Sequence, residues 1–285
     1  MNKAELILSP EGEIYHLKLK PGQLATNIIT VGDPKRIDLL EPYFDSVSVR
    51  VSNREFSVLT GEIHGHPLSV LATGIGTDNI DIALTEADAL FNIDFETYTV
   101  KEELTALTFI RLGTSGGLQK DIEPGDIVLS QAAMGMDNLF YFYEDSRTSD
   151  WIKVDEKAEQ LLQLKTYTIP ADKELFNHFS SIGVKGITLT CPGFYGPQGR
   201  QLRAPNAFPN YLEDLSHLEF PQGRITNFEM ETAGIYAMAS ILGHKALSIN
   251  AILASRSKGT FAEQPHEVVE HMIEKAMEKL ILWLD

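Results

Sequence analysis

Three arginines lie at the edges of apolar segments where the chain turns, a pattern that is typical of a binding site for a small anion. Arg36 follows the Gly-Asp-Pro turn at residues 32–34, Arg54 follows a Val-Ser-Asn segment, and Arg111 ends an apolar run before a Gly-Thr-Ser-Gly-Gly turn. Glycine lets a ligand approach the backbone, free amides at a helix start attract anions, and guanidinium groups bind them. The alternative is an ordinary strand-to-helix connection in which Asp33 caps the helix and Arg36 lies in solvent.

The overall charge favours the anion site over that alternative. The chain carries 40 acidic and 24 basic residues, which gives a formal net charge of −16. Because such a protein repels anions, guanidinium groups beside glycine turns indicate local coordination. The same charge argues against nucleic acid as a partner, since binding its phosphate backbone requires a basic surface. Any anionic ligand is therefore expected to be small.

A second motif could bind a flat ring. Phe194 and Tyr195 precede a Gly-Pro turn that leads to Gln198 and Arg200. In an extended segment alternate residues point the same way, so Gln198 and Arg200 could hydrogen-bond the edge of a ring that stacks on an aromatic side chain. The alternative is an exposed turn without a ligand.

Glu229 and Glu231 form a third motif, two carboxylates with Met230 between them. Such a pair could bind a metal ion, act as acid and base, or lie at a helix N-terminus, where the dipole favours negative charge. A carboxylate also accepts two hydrogen bonds at once, which fits the vicinal hydroxyls of a ribose.

Several further sequence patterns resemble functional motifs but are better explained as ordinary structural residues. The segment from Gly74 to Asn79 begins like a dinucleotide fingerprint but lacks the third glycine, so no nicotinamide site is expected. Turn residues rather than a helix follow the Gly-x-Ser-x-Gly match at residues 113–117, which argues against a serine hydrolase. The two histidines of residues 64–66 flank a predicted hairpin tip and predict no zinc site. Cys191 is expected to be a buried, unreactive thiol.

Alternating strands and helices are predicted to position these motifs. Strands are expected at residues 26–31, 106–112, 126–133, 184–190 and 246–254, with two more within residues 56–75. Helices are expected at residues 77–91, 171–182, 231–242 and 266–284. The strands are nearly continuously apolar, which favours a mostly parallel sheet covered by helices. Residues 94–103 and 204–222 are polar or interrupted by proline and are expected to lie on the surface.

The whole chain, residues 1–285, is expected to form one α/β domain. Its length and its hydrophobic content of 43% allow a large core, and no linker or internal repeat divides it. No signal peptide or long apolar run is evident, and the single cysteine excludes an intrachain disulfide. A cytoplasmic location without membrane association is therefore expected.

Taken together and in order, the motifs resemble the nucleoside phosphorylase-I family. The resemblance rests on Gly32, Asp33 and Pro34 with Arg36, on Arg54, on Arg111 with Thr114, and on the segment from Phe228 to Glu231. It covers nearly the whole chain and implies a single-domain, three-layer αβα sandwich with a mixed, mostly parallel central sheet. Within the family, the motif from Phe194 to Arg200 and the segment around His16 resemble the uridine phosphorylase branch.

The resemblance implies a role for each site residue. Phosphate would be held by Gly32, Arg36, Arg54, Arg111 and Thr114. Ribose would be held by His16, Thr114, Met230 and Glu231, and the base by Gly116, Phe194, Gln198, Arg200 and Glu229. The residues implied in catalysis are Arg36, Arg111, Gln198, Arg200 and Arg256, the last of which would lie close to the base. His16 and Arg54 would act across the subunit interface of a homo-oligomer, either a dimer or a hexamer.

The implied activity is reversible phosphorolysis of uridine to uracil and α-ribose 1-phosphate, with inorganic phosphate as co-substrate and with no cofactor or metal ion. Ser255 stands where purine-cleaving members usually carry an acidic residue, which argues against purines. Asn79 replaces a small hydroxyl residue of a monovalent-cation site, so that ion is not expected. Three alternatives stay open: a purine nucleoside phosphorylase, a hydrolytic nucleosidase and a non-catalytic nucleoside-binding protein.

Overall fold

The apolar segments of the sequence form strands and amphipathic helices that alternate along the chain. The computed structural model describes residues 1–145 and 147–285. The strands are β1 (Asn27–Val31), β2 (Ser46–Asn53), β3 (Phe56–Ile63), β4 (His66–Ala72), β5 (Ile93–Asp94), β6 (Thr99–Val100), β7 (Thr108–Gly117), β8 (Ile127–Gly135), β9 (Tyr167–Pro170), β10 (Val184–Thr190), β11 (Glu219–Phe220), β12 (Gly223–Glu229), β13 (Lys245–Ser255) and β14 (Thr260–Phe261). The helices are α1 (Arg36–Leu40), α2 (Thr77–Asn92), α3 (Ser149–Leu162), α4 (Lys173–His178), α5 (Tyr211–Ser216), α6 (Thr232–Leu242) and α7 (Pro265–Leu284).

Strand β7 is a branch point of the large sheet, where it pairs with three other strands. It runs parallel to β1 and β13 and antiparallel to the end of β12. The pairing with β12 closes five strands into a ring in the order β7, β13, β8, β10 and β12. From the other side of β7, strands β1, β4, β3 and β2 continue as an open sheet. The large sheet therefore has a closed part and an open part that share β7.

Alternate residues of the open sheet pack into different clusters, as expected when a sheet is buried on both faces. Ile28 of β1 and Phe109 of β7 pack into a cluster with residues of α2 and α6. Their neighbours Ile29 and Ile110 pack with residues of α1 and α7. A third cluster lies against the ring and contains Leu189, Cys191 and Phe228. Helices therefore cover both faces of the open sheet.

The expected α/β fold with a mixed sheet is confirmed. The expected three-layer sandwich is not confirmed, because the contact between β12 and β7 closes part of the sheet on itself. Among the described residues, five pairings in the large sheet are parallel and seven are antiparallel, so the sheet is not mostly parallel. None of the helices in the described part of the chain combines the length and the apolar character needed to cross a membrane.

Candidate active site

Parallel strands place their carboxyl ends at one edge of a sheet, and in this fold that edge carries a cavity of about 770 Å³. Gly32 follows β1, Gly74 lies beyond β4, and Thr114 belongs to the last residues of β7. The cavity brings together most of the residues that the sequence singled out. They are Gly32, Arg36, Arg111, Thr114, Gly116, Phe194, Gln198, Arg200, Glu229, Met230 and Glu231.

Arg111 forms the buried centre of the cavity wall. Its Nη2 atom lies 2.9 Å from Glu229 Oε2 and 2.6 Å from Glu231 Oε2, and its Nη1 donates to Asn250 Oδ1 at 2.7 Å. Burial alone would lower the pKa of Arg111, but the two carboxylates outweigh it and raise that pKa. The side chain is therefore a permanent, fixed cation.

The two carboxylates are fixed as firmly as the arginine. Glu231 Oε1 accepts from the amide of Gly76 at 2.8 Å, and Glu229 accepts from the hydroxyl of Thr190 at 2.6 Å. Burial raises the pKa of Glu231 although Arg111 opposes that shift. Because Glu231 precedes α6, the interpretation of the pair as charges near a helix start is compatible with its contacts to Arg111.

Two glycines of β7 allow this packing. An ideal Cβ at Gly113 would lie 1.8 Å from Arg111 Nη1, so any side chain there would displace the guanidinium. An ideal Cβ at Gly116 would lie 2.9 Å from the ring of Phe228. Two glycines within the segment that matches a nucleophile elbow therefore make room for an arginine and an aromatic ring. Residues 113–117 lie within β7 and do not enter a helix, which agrees with the argument against a serine hydrolase.

Arg36 adds a second cation to the cavity beside the glycine turn. It is the first residue of the short helix α1, and its Nη1 donates to the carbonyl of Leu112 at 2.9 Å. Burial and the charge of Arg111 both lower the pKa of Arg36. Asp33 accepts from the amide of Lys35 at 3.0 Å within the turn, but α1 has no side-chain cap. Two arginines near one turn favour an anionic ligand.

Gln198 and Arg200 meet as expected, but for a different reason than the one predicted. The segment is not extended: Gly196–Gln198 is a turn of 3₁₀ helix and Gly199 has φ of +67°. Arg200 Nη1 donates to Gln198 Oε1 at 2.5 Å and to the carbonyl of Phe194 at 2.7 Å. The guanidinium carbon lies 3.7 Å from the centre of the Phe194 ring. The three residues therefore form one unit in the cavity wall.

Three of the expected site residues do not line the cavity. His16 and Arg54 belong to a cluster elsewhere on the surface: Arg54 Nη2 donates to the hydroxyl of Tyr15 at 3.2 Å, and Asn53 donates to the carbonyl of His16 at 2.8 Å. Glu86 holds His16, whose Nδ1 lies 2.6 Å from the carboxylate. The third is Arg256, whose guanidinium carbon is 5.9 Å from the centre of the Phe228 ring, which does line the cavity.

Sequence reasoning did not identify several residues of the cavity wall. Ser115 lines it, and Leu253, Ala254 and Phe261 add an apolar wall. Ser115 lies between Thr114 and Gly116, which were both assigned to the site, so its position in the sequence could have indicated a role there. The sequence gives no indication of the apolar wall, because Leu253 and Ala254 resemble ordinary residues of a buried strand. Ser255 is buried and does not line the cavity.

Two of the segments that were set aside have the local structure that the sequence predicts. His64 and Gly65 form the tip of the hairpin between β3 and β4. Cys191 has no exposed surface, and burial raises the pKa of its thiol well above the usual value. Such a thiol is a poor nucleophile, because the reactive form is the thiolate.

Comparison with known proteins connects this site to a family. The model of the phosphorylase superfamily matches residues 26–284. A uridine phosphorylase from Thermococcus kodakarensis is 30% identical over 98% of this chain and 91% of its own length. A DeoD-type purine nucleoside phosphorylase from Streptococcus suis is 29% identical over 93% of this chain and 98% of its own length.

Solved structures share the fold. A nucleoside phosphorylase from Trypanosoma brucei that shows uridine phosphorylase activity superposes with a TM-score of 0.87 at 29% identity, covering 97% of this chain and 99% of the other. A uridine phosphorylase from the oomycete Phytophthora capsici superposes with a TM-score of 0.69 at 22% identity, covering 98% of each chain. The second likeness concerns the fold alone.

Proposed function

Because the chain belongs to the phosphorylase superfamily, we propose that it is a uridine phosphorylase, which cleaves uridine with inorganic phosphate to uracil and α-ribose 1-phosphate and can run in reverse. One observation carries the proposal. Two arginines, a buried pair of carboxylates and a Phe-Gln-Arg unit converge on one cavity. The arginines match an anion, the carboxylates match the hydroxyls of a sugar, and the Phe-Gln-Arg unit matches a flat ring with polar edges.

In the proposed reaction a phosphate oxygen bonds to ribose C1′ as the bond from C1′ to N1 of the base breaks. The electron pair of that bond leaves with the base, which takes up a proton to become uracil. Gly32, Arg36, Arg111 and Thr114 would hold phosphate on one side of C1′, and Met230 and Glu231 would hold the ribose. A bound and oriented phosphate makes the attack effectively intramolecular.

The departing base develops negative charge, which donors at its edge would stabilise. Gln198 and Arg200 would supply those donors, and Phe194, Gly116 and Glu229 would complete the base subsite. Burial and the charge of Arg256 both lower the pKa of Arg200, although the group stays protonated at neutral pH. Arg256 would add to the positive potential at this end of the cavity. The proposal requires phosphate as co-substrate and no other cofactor.

Incubation with three nucleosides tests the proposal against its alternatives. Uridine, inosine and 5′-methylthioadenosine are each incubated with and without phosphate, and release of the free base is measured. Uracil release that requires phosphate supports the proposal. Release of purines with phosphate indicates the purine alternative, release without phosphate indicates a hydrolase, and binding without release indicates a binding protein.

A purine phosphorylase is the second candidate, because the chain also resembles such an enzyme over nearly its full length. Strand β13, which is described in full, contributes only Leu253 and Ala254 to the cavity and no acidic residue. An apolar wall offers no proton to a purine ring nitrogen. This observation favours a pyrimidine.

We also propose that the chain acts as one domain in the cytoplasm and as a homo-oligomer, a dimer or a hexamer. His16 and Arg54 lie together, half-buried and exposed respectively, and do not line their own cavity. This placement supports a role in the cavity of a second copy, where Arg54 would contact phosphate and His16 the ribose.

Mixing two inactive variants tests this shared site. Arg36→Ala and Arg54→Ala are unfolded together, refolded as a mixture and assayed against each variant refolded alone. In a dimer, random pairing gives intact sites in about a quarter of the total, because each mixed dimer has one complete site. Activity that stays at the level of the separate variants would contradict the proposal.

A further inference from the structure

Each strand of the closed ring contributes at least one buried polar side chain to a single hydrogen-bonded network. The members are Arg111 and Ser115 on β7, Asn250 on β13, Ser130 on β8, Thr188 on β10 and Asn227 on β12. Four of them, Asn250, Ser130, Thr188 and Asn227, have no exposed surface at all. Buried polar groups are costly unless they are paired, so this network has to be satisfied within the ring.

The hydrogen bonds follow the strands in their order of pairing. Arg111 Nη1 contacts Asn250 Oδ1 at 2.7 Å, and Asn250 Nδ2 contacts Ser130 Oγ at 3.0 Å. Ser130 Oγ lies 2.5 Å from Thr188 Oγ1, which lies 2.9 Å from Asn227 Oδ1. The circuit ends at β7, where it began, since Asn227 Nδ2 contacts the hydroxyl of Ser115.

Arg111 at one end and Asn227 at the other set the directions of the hydrogen bonds in this circuit. A guanidinium can only donate, so Asn250 turns its oxygen to Arg111 and its amide nitrogen to Ser130. Ser130 accepts there and gives its own proton to Thr188. Thr188 accepts that proton because its own proton goes to Asn227 Oδ1, which also accepts from Thr226.

Ser115 therefore receives a hydrogen bond and keeps its own proton free. Asn227 Nδ2 donates to Ser115 Oγ at 2.8 Å. In the described part of the chain, no hydrogen bond donated by the Ser115 hydroxyl is present. Ser115 lines the cavity, so the acceptor for its proton is expected in the ligand.

We infer that Ser115 donates a hydrogen bond to a carbonyl oxygen of the bound base, and that the ring of side chains fixes this direction. The inference rests on the proposed function. Gly116, the next residue, lies opposite Phe228 and Ala254 on the neighbouring strands, and Ala254 lies opposite Phe261. Small and aromatic residues in one row form a slot suited to a flat ring.

The carbonyl oxygens at the edge of the base are the acceptors that suit Ser115 in that slot. The phosphate oxygens are expected to accept from Arg36 and Arg111 instead. A donor fixed in direction accepts a carbonyl oxygen and rejects an amino group at the same ring position. Ser115 is thus a specificity-determining contact, and Thr188 and Asn250 are positioning residues that act through it.

Ser115→Ala and its matched control Ser115→Thr test the contact. We measure kcat/KM for uridine, 2-thiouridine and 4-thiouridine at saturating phosphate. Loss of one hydrogen bond to the base should lower kcat/KM for uridine about tenfold in Ser115→Ala, whereas Ser115→Thr keeps the hydroxyl and most of the activity. One of the two thio analogues, whose sulfur is a poor acceptor, should lose much less than uridine does. Equal losses for all three substrates, or a change only in KM for phosphate, would overturn the contact.

Thr188→Val tests the positioning ring at a site that does not line the cavity. The valine keeps the shape of the side chain but removes the hydroxyl that joins Ser130 to Asn227. The value of kcat/KM for uridine should therefore fall severalfold, and one of the two thio analogues should again lose much less than uridine does. Thr188→Ser restores the hydroxyl and should restore activity. A Thr188→Val enzyme that folds and equals the wild type would show that the ring does not direct Ser115.

The proposed function and this inference fail in different ways. If the wild-type protein releases no uracil, the proposed function fails. Calorimetric binding of uridine to wild type and to Ser115→Ala then tests the contact directly. Equal affinities would overturn it.

Discussion

Replacing Gly113 by alanine would test the geometry that holds Arg111. The new methyl group would lie 1.8 Å from Arg111 Nη1, far inside contact distance. The backbone of Gly113 is paired with Asn250 in the parallel ladder between β7 and β13, so the strand has little freedom to shift. The guanidinium must therefore leave its place.

The cost follows from the contacts that Arg111 would lose. Its two nitrogens contact Glu229, Glu231 and Asn250 at 2.9, 2.6 and 2.7 Å. Without Arg111 both carboxylates stay buried beside one another. Removing one partner of a buried ion pair costs about 3–5 kcal/mol, and losing a fixed cation at the reacting groups costs roughly 10²–10³ in rate. We expect Gly113→Ala to lose about 3 kcal/mol of unfolding free energy and at least ~10² in kcat/KM.

Urea denaturation and a phosphorolysis assay measure the two effects. The control is the pair Arg111→Ala and Arg111→Ala with Gly113→Ala. Once the guanidinium is absent the methyl group has room, so the double variant should be no less stable than Arg111→Ala alone. Gly113→Ala with wild-type stability and activity, or fully additive losses in the double variant, would refute the reasoning.

Three further outcomes follow from single side chains. Arg200→Ala should lower kcat on uridine by roughly 10²–10³ and leave the thermal unfolding midpoint unchanged, and near-normal turnover would contradict the role of Arg200. Burial raises the pKa of Asp137, so the folded state binds its proton more tightly and loses stability as pH rises through that pKa. Asp137→Asn should abolish this loss, which urea denaturation between about pH 4 and pH 7 would show as a flatter curve. Glu86→Ala removes the acceptor of three donors in residues 16 and 17. A loss of about 1–3 kcal/mol in unfolding free energy is expected, whereas an unchanged midpoint would contradict that role.

The sequence predicted the elements whose pattern is local. The apolar stripe of α7 gave its bounds within one residue, and the buried strand β10 matched at both ends. Strand β2 was missed because it is an edge strand with mostly exposed side chains. Helix α3 was missed because charged residues interrupt its narrow apolar face. Residues 204–222 are only partly on the surface, since α5 buries Leu215.

The site was predicted in composition but not in geometry. Side-chain types at turns brought Arg36 and Arg111 into one hypothesis of an anion site, and the family resemblance added Glu231 to it. The closure of the ring depends on two residues of β12 that pair with β7 about 110 positions away, and no local pattern predicts such a contact. The polar network inside the ring of strands could not be predicted either, because it also depends on contacts between residues that are far apart in the sequence. Its members read as isolated serine, threonine and asparagine residues in apolar strands.

Strand β7 fixes the length of molecule that the cavity can accept. The guanidinium of Arg111 reaches Gly113, and Gly116 lies three residues further along one extended, paired strand, a backbone span of about 10 Å at about 3.3 Å per residue. An insertion or deletion between them would turn every following side chain to the opposite face. Under the proposed function, changes in the loop around Phe194 or in the hairpin of β13 and β14 would alter the base subsite without changing this distance.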